Sequence, residues 1–354
     1  HFELMDQSEN HIVEQFGYEV LQLMPPSALF LTMTDMVTNT LRYLQVTEHF
    51  RQDVLLADQN LMSAEWFVAG QARNFPGVAF PAKLYWPSRP DGWNMREMVD
   101  VNYGKFRIFT FAGSKDKSYE DAGYKLMPFG YAEEFTRPMD TNSLTPWQCN
   151  ESMWAETVRY HLPRSPPYVH LSIIKYPEGT WEFKALDEYF IAVSRYGIHA
   201  FNLVGNHPEV ALPAAIYVFE QGIGDLPAHK CDCALDQYTT FFKNAGTCYY
   251  QSIGKELGNI QQHRKNLKRV WGEYIRRVEN GFLGSAEDAN LAHELRNLKG
   301  ILSMAPFAYD PLLDHKIVDH GVSVMRELEP SPSISTASTS PVSDAGMKEG
   351  GAAV

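Results

Sequence analysis

The stretch 262-QHRKNLKRVWGEYIRRV-278 carries the strongest helical periodicity of the chain. Leu267, Val270, Trp271, Tyr274, Ile275 and Val278 fall on one face, and Gly281 lies just past the end, where a left-handed cap belongs. The other face holds Arg264, Lys265, Lys268, Arg269, Arg276 and Arg277, the one basic concentration in an acidic chain. Three readings compete for it: contact with RNA phosphates, pairing with carboxylates of a neighbouring subunit, or plain solvation. RNA contact is the weakest, because no aromatic residues interleave the cations.

Outward from that helix, the chain of 354 residues carries 31 Lys plus Arg against 43 Asp plus Glu, a net charge of −12. That balance disfavours a polyanion-coating protein. At 44% hydrophobic residues it has a core for one large domain or two ordinary ones, which excludes a disordered or fibrous protein. Ile12, Val13, Phe16, Val20, Leu21, Leu23 and Met24 predict a helix over 9–24 that Pro25-Pro26 stops. Residues 32–56 read as a long helix broken near Thr47. From 74 to 138 the texture turns to Pro, Gly and aromatic residues, with strands expected at 82–86 and 106–112 and a turn at Pro90-Asp91-Gly92.

A short helix is expected at 152–160, a strand at 169–175, and a helix over 183–196 ending before Gly197. Apolar runs of strand length follow at 201–204 and 215–219. A helix at 286–302, a Pro306–Pro311 turn and a segment at 317–324 complete the body. The last residues, 329–354, are dominated by Ser, Thr, Pro, Gly and Ala and read as a disordered tail. The expected organisation is a helical segment at 1–73, an α+β body at 74–328 and the tail at 329–354, with a β-rich middle section and no regular βαβ alternation.

Candidate chemistry is sparse. His229-Lys230-Cys231-Asp232-Cys233 offers zinc-type ligands, but Cys-x-Cys without a second ligand pair is incomplete, and the two thiols are too closely spaced to bridge comfortably. With Cys149 and Cys248 the only other cysteines, an intracellular, reducing compartment is expected. Asp310, Asp314, His315, Asp319 and His320 form a second cluster, read as a solvated polar face because His315 and His320 do not share a helix side. Gly222-Ile223-Gly224 lacks the third glycine of a phosphate loop, and there is no Walker A or Gly-x-Ser-x-Gly. No catalytic, cofactor-binding or metal-binding residue is therefore assigned, no cofactor is expected, and the chemical roles of His199, His207, His315 and His320, like those of Cys231 and Cys233, stay open.

Two collinear stretches carry a resemblance. In 183-FKALDEYFIAVSRYGIHAFNLVGNHPEV-210 the residues are Leu186, Ala192, Arg195, Gly197, His199 and Val204-Gly205; in 267-LKRVWGEYIRRVENGFLG-284 they are the Leu-Lys-x-x-Trp-Gly start and the later Arg-Arg and Gly. Both are similar to the capsid protein of totivirus-like fungal double-stranded RNA viruses, and the small-residue tail resembles the ends of victorivirus capsid proteins. The resemblance implies a mostly helical shell subunit that self-assembles in many copies around RNA held by weak non-specific contact at most. Its place would be the virion and the host cytoplasm, with no membrane contact. Such capsid proteins are longer, so together with the missing initial Met it also implies a C-terminal portion or processed product. A competing resemblance, over 75-FPGVAFPAKLYWPSRPDGWNMREMVDVNYGKFRIFTFAG-113, is to the thioredoxin-like C-terminal domain of phenol-hydroxylase-type flavoproteins. A soluble protein that binds a small ligand is the third expectation.

Overall fold

The structure is a computed structural model that describes residues 9–137, 151–167, 169, 176–283 and 289–304. Helix α1 (Ile12–Leu23) buries Ile12, Phe16, Val20 and Leu21. At its C-terminus Arg51 donates from its guanidinium to the carbonyls of Leu21 (2.9 Å), Met24 (2.7 Å) and Pro25 (3.1 Å), satisfying groups a helix end leaves open. The stretch 32–56, expected as a long helix broken near Thr47, does hold a helix that ends at Thr47, but a strand follows the break and another precedes the helix, so that 29–58 is a βαβ unit. Strand β1 (Leu29–Thr32), helix α2 (Asp35–Thr47) and strand β2 (Leu55–Asp58) follow one another, and β1 and β2 pair in parallel. His49 and Arg51 adopt left-handed backbone (φ 53° and 49°), which ends the helix before β2.

Short helices α3 (Gln59–Met62) and α4 (Glu65–Gln71) lead to a two-residue pair of strands, β3 (Leu84–Tyr85) and β4 (Gly92–Trp93). Helix α5 (Met95–Asn102) opens on a capping box between Asn94 and Glu97. Strand β5 (Ile108–Thr110), helix α6 (Ser118–Asp121) and the hairpin of β6 (Lys125–Phe129) and β7 (Ala132–Thr136) complete this half. The five-stranded sheet runs β2-β1-β5-β7-β6, with β1, β2 and β5 parallel and β7 antiparallel to both neighbours. Strands from before and after residue 73 thus share one sheet. Phe30, Leu56, Phe109 and Met127 join the core that contains α1 and α2, whereas Leu29, Leu31, Ala57 and Ile108 join one built on Phe67, Met95, Met98 and Val99.

The other regular elements among the described residues are helices: α7 (Glu151–His161), α8 (Trp181–Asn202), α9 (Pro208–Asp225), α10 (Thr240–Gly254), α11 (Ile260–Glu279) and α12 (Ala289–Ser303). Helix α8 does not stop at Gly197, and the runs expected as strands at 201–204 and 215–219 lie in the end of α8 with its 3-10 extension and inside α9. Gly197 serves close approach: a Cβ there would overlap the ring of Phe219 on α9. Of the strand expected at 169–175 only Val169 is among the described residues, and the 306–311 turn, the 317–324 segment and the tail lie outside them.

Each helix from α8 to α11 packs on the next, and Gly246 of α10 accepts the buried indole of Trp271 from α11, whose Nε1 donates to the carbonyl of Lys243 (3.0 Å). A methyl at Gly246 overlaps that rigid ring, so Gly246→Ala is expected to destabilise the chain by about 1–3 kcal/mol despite its better helix propensity. Urea unfolding checks this; a midpoint at or above that of the parent chain contradicts the packing.

Candidate functional site

Parallel strands put their carboxyl ends on one edge, and here β1 has β2 on one side and β5, reached by a later crossover, on the other. In open sheets with this reversal, ligands settle in the crevice beyond the carboxyl ends at that point. The residues there are polar and interlinked. Gln59, fully buried, donates from Nε2 to Thr110 Oγ1 (3.2 Å) and to the carbonyl of Gly113 (3.0 Å), and its Oε1 accepts from the Lys115 amide (3.2 Å). Asp58 closes β2 and caps α3, accepting from the amides of Asn60 (2.7 Å) and Leu61 (3.2 Å). Asn60 ties the edge to β1 through the Met33 carbonyl (2.7 Å), and Thr38 donates to Thr32 (2.8 Å).

After β5 the backbone takes two consecutive left-handed residues, Ala112 (φ 61°) and Gly113 (φ 79°). For Ala112 this is a strained conformation of the kind that collects at functional sites. The turn delivers Lys115, whose Nζ stands 3.4 Å from Ser63 Oγ. Burial pulls the Lys115 ammonium below its ordinary value, an effect the Asp58 carboxylate opposes. Behind it the Tyr85 hydroxyl donates to Asp116 (2.6 Å), which also accepts from the Met95 amide (3.0 Å); burial first, then that carboxylate, pushes the phenol far up. The edge offers amide, hydroxyl and carboxylate groups plus one exposed cation, Lys115, and Thr32-Met33-Thr34 between β1 and α2 is no glycine-rich phosphate cradle. This suits hydrogen bonding to a neutral polar ligand.

The residues singled out in the sequence are dispersed. His199 packs its ring edge-on against Trp154 (4.5 Å), its Nε2 has no hydrogen-bond partner among the described residues, and burial drives it down to about 4. Near it, His161 Nδ1 lies 2.9 Å from the Tyr196 hydroxyl, which accepts from the Gly130 amide (2.6 Å) and donates to the His161 carbonyl (2.6 Å). This cluster joins the β6–β7 turn to α7 and α8. His207 precedes α9. Cys231 and Cys233 are disulfide-bonded to each other, although their spacing was expected to be too close to bridge comfortably. Asp232 at φ 53° folds the loop back so that the Cα atoms are 5.2 Å apart, within bridging range, and Asp236 accepts from the amides of Cys231 (3.2 Å) and Asp232 (2.9 Å).

Gly222-Ile223-Gly224 lies inside α9. On the basic face Arg269 pairs with Glu220, Arg276 pairs with Glu273, and Arg277 turns inward between the rings of Phe242 and Phe282. Asp310, Asp314, His315, Asp319 and His320 lie outside the described residues. Among the described residues no three His, Cys, Asp or Glu side chains converge on a metal position, and no helix is long and apolar enough to cross a membrane.

Comparison with known proteins changes the functional picture. The family described as TMEM260-associated domain 2 matches residues 13–129, a span that holds four of the five strands of the large sheet and stops before β7. The protein O-mannosyl-transferase tmem260 of Dictyostelium discoideum is 27% identical over 196 residues, covering 55% of this chain and 23% of its own length. The protein O-mannosyl-transferase TMEM260 of Mus musculus is 27% identical over 223 residues, covering 61% of this chain and 29% of its own. The chain therefore spans about a quarter of the length of the curated relatives it matches. No solved structure matches it.

These matches overturn the capsid reading and everything that hung on it: the many-copy shell, the enclosed RNA, and the virion and host-cytoplasm location. They equally replace the flavoprotein and generic ligand-binding alternatives, since the relatives are protein O-mannosyl-transferases. The physical source of the error is visible. Leu186, Ala192, Gly197 and Val204 are helix-packing positions, and small and apolar residues at helical spacing recur wherever helices pack.

Proposed function

We propose that this chain is part of a protein O-mannosyl-transferase of the TMEM260 kind, and that the polar carboxyl edge of its sheet takes part in holding the acceptor polypeptide. The match of the family to residues 13–129 carries the reading, because that span contains β1, β2 and β5 with Asp58, Gln59 and Thr110, the residues that meet at the edge. The edge fits a neutral polar group such as a serine or threonine hydroxyl and its flanking peptide. Lys115 offers an exposed ammonium at the rim of the edge, and Asp58 and Gln59 are held in place by their hydrogen bonds to Asn60, Leu61 and the Lys115 amide.

The test uses cells deprived of their own TMEM260-type transferase. The full-length protein that carries this chain is expected to restore O-linked hexose on acceptor proteins, read by peptide mass spectrometry. Lys115→Ala is expected to lower that transfer by about tenfold while leaving thermal stability unchanged. No restored hexose overturns the function; full activity in Lys115→Ala overturns the edge as the site.

A further inference from the structure

A cleft of about 760 Å³ opens between α9 and the turn that leads from α10 into α11, well away from the sheet edge in sequence and fold. Its apolar side includes Leu257 and Tyr217, the latter with 47% of its surface exposed. An aromatic ring left open at the rim of a concavity is an amphipathic platform. Its polar side is built. Glu220 is held by the Tyr249 hydroxyl (2.8 Å) and by Arg269, and the Asn259 side-chain oxygen accepts from the Gln262 amide (3.1 Å), which fixes the direction of its amide group. His263 also lines the cleft, and burial pulls its imidazole below the ordinary value.

Glu209 and Glu220 give the cleft its sign: a phosphate or other anion meets two carboxylates, against one arginine already engaged by Glu220. A neutral polyhydroxyl ring meets acceptors, a donor amide and an apolar wall. We propose that this cleft binds a neutral pyranose, with a C–H face of the sugar against Tyr217 and its hydroxyls on Glu220, Glu209 and Asn259. The choice of mannose as first probe rests on the transferase reading; the chemistry of the cleft rests on its own residues. Pyranose could arrive free or as a sugar already linked to protein, and both present the same ring.

Saturation-transfer NMR on the full chain separates these cases, using methyl α-mannopyranoside, a threonine peptide carrying one O-linked mannose, and the same peptide unmodified. The mannosyl peptide is expected to give transfer and the unmodified peptide none; response from methyl mannoside as well makes the bare ring sufficient, and its silence makes the protein-linked sugar the ligand. Tyr217→Ala is expected to weaken binding at least about tenfold. Tyr160→Ala, an exposed aromatic on α7, leaves it unchanged. The proposal is overturned if neither sugar probe responds, if Tyr217→Ala binds as well as the parent, or if a lysine-rich unmodified peptide binds instead and is displaced by salt. Mannoside binding by a protein that transfers no hexose retains the cleft and removes the function proposed above; transfer without cleft binding does the reverse.

Discussion

Glu294→Ala is expected to cost about 3–5 kcal/mol of stability, the loss typical of a buried ion pair deprived of one member. Glu294 on α12 accepts from Lys243 Nζ (3.1 Å) and from the Tyr274 hydroxyl (2.6 Å), and all three side chains are buried. Burial already lowers the Lys243 ammonium, and the Glu294 carboxylate is what opposes that fall. Without it the lysine becomes neutral in the folded state while it stays charged in the unfolded chain. The unfolded state then binds more protons, so the variant regains stability as pH rises toward the ordinary lysine range. Denaturant unfolding at pH 7 and pH 9.5 reads both effects. A loss under about 1 kcal/mol, or no recovery at the higher pH, contradicts the role assigned to the pair.

Acid is expected to weaken the junction between the sheet and the helices. Burial holds His161 and His199 at about 4 in the folded protein, against 6.5 for a free imidazole. A histidine whose folded value is depressed adds nothing to the pH dependence above pH 7. Between pH 6.5 and 4 the unfolded chain takes up protons that the folded one refuses, so stability falls throughout that window, by roughly 3 kcal/mol for each ring at its foot. The thermal midpoint measured from pH 7 to pH 4 should drop steadily, and His199→Phe, which keeps an aromatic ring against Trp154, should flatten about half of the slope. A midpoint independent of pH over that range rules out buried neutral histidines at this junction.

Helix α11 was legible because its two faces separate cleanly, from Leu267 and Trp271 on one side to Lys265 and Lys268 on the other. Helix α1 stood out through the spacing of its apolar residues and the Pro25-Pro26 stop. Strands β1 and β2 were not, since Leu29 to Thr32 is buried on both faces and shows no alternation, and so reads equally as helix. Gly197 misled because a glycine chosen for the approach of Phe219 looks in sequence like a helix stop. Arg277 was placed on the outer, basic face, although its guanidinium donates to the Pro227 carbonyl (2.8 Å) from between two phenylalanines. The sheet-edge site left almost no local signal. Thr32, Gln59, Thr110 and Lys115 are single polar residues far apart in the chain, and only the strand order brings them together.

That strand order also sets a timetable. The helices from α8 to α11 each pack on their sequence neighbour, so their contacts close short loops and form early. Strand β1 sits between β2 and β5, and Leu29 waits for Ile108 before its second side is covered. During synthesis the nascent chain therefore carries a bare apolar strand, Leu29 to Leu31, through the whole passage from β2 to β5. An exposed edge of that composition recruits other chains. The sheet, and with it the polar edge beyond β1, is therefore the part of the molecule whose folding is most exposed to mispairing with other chains.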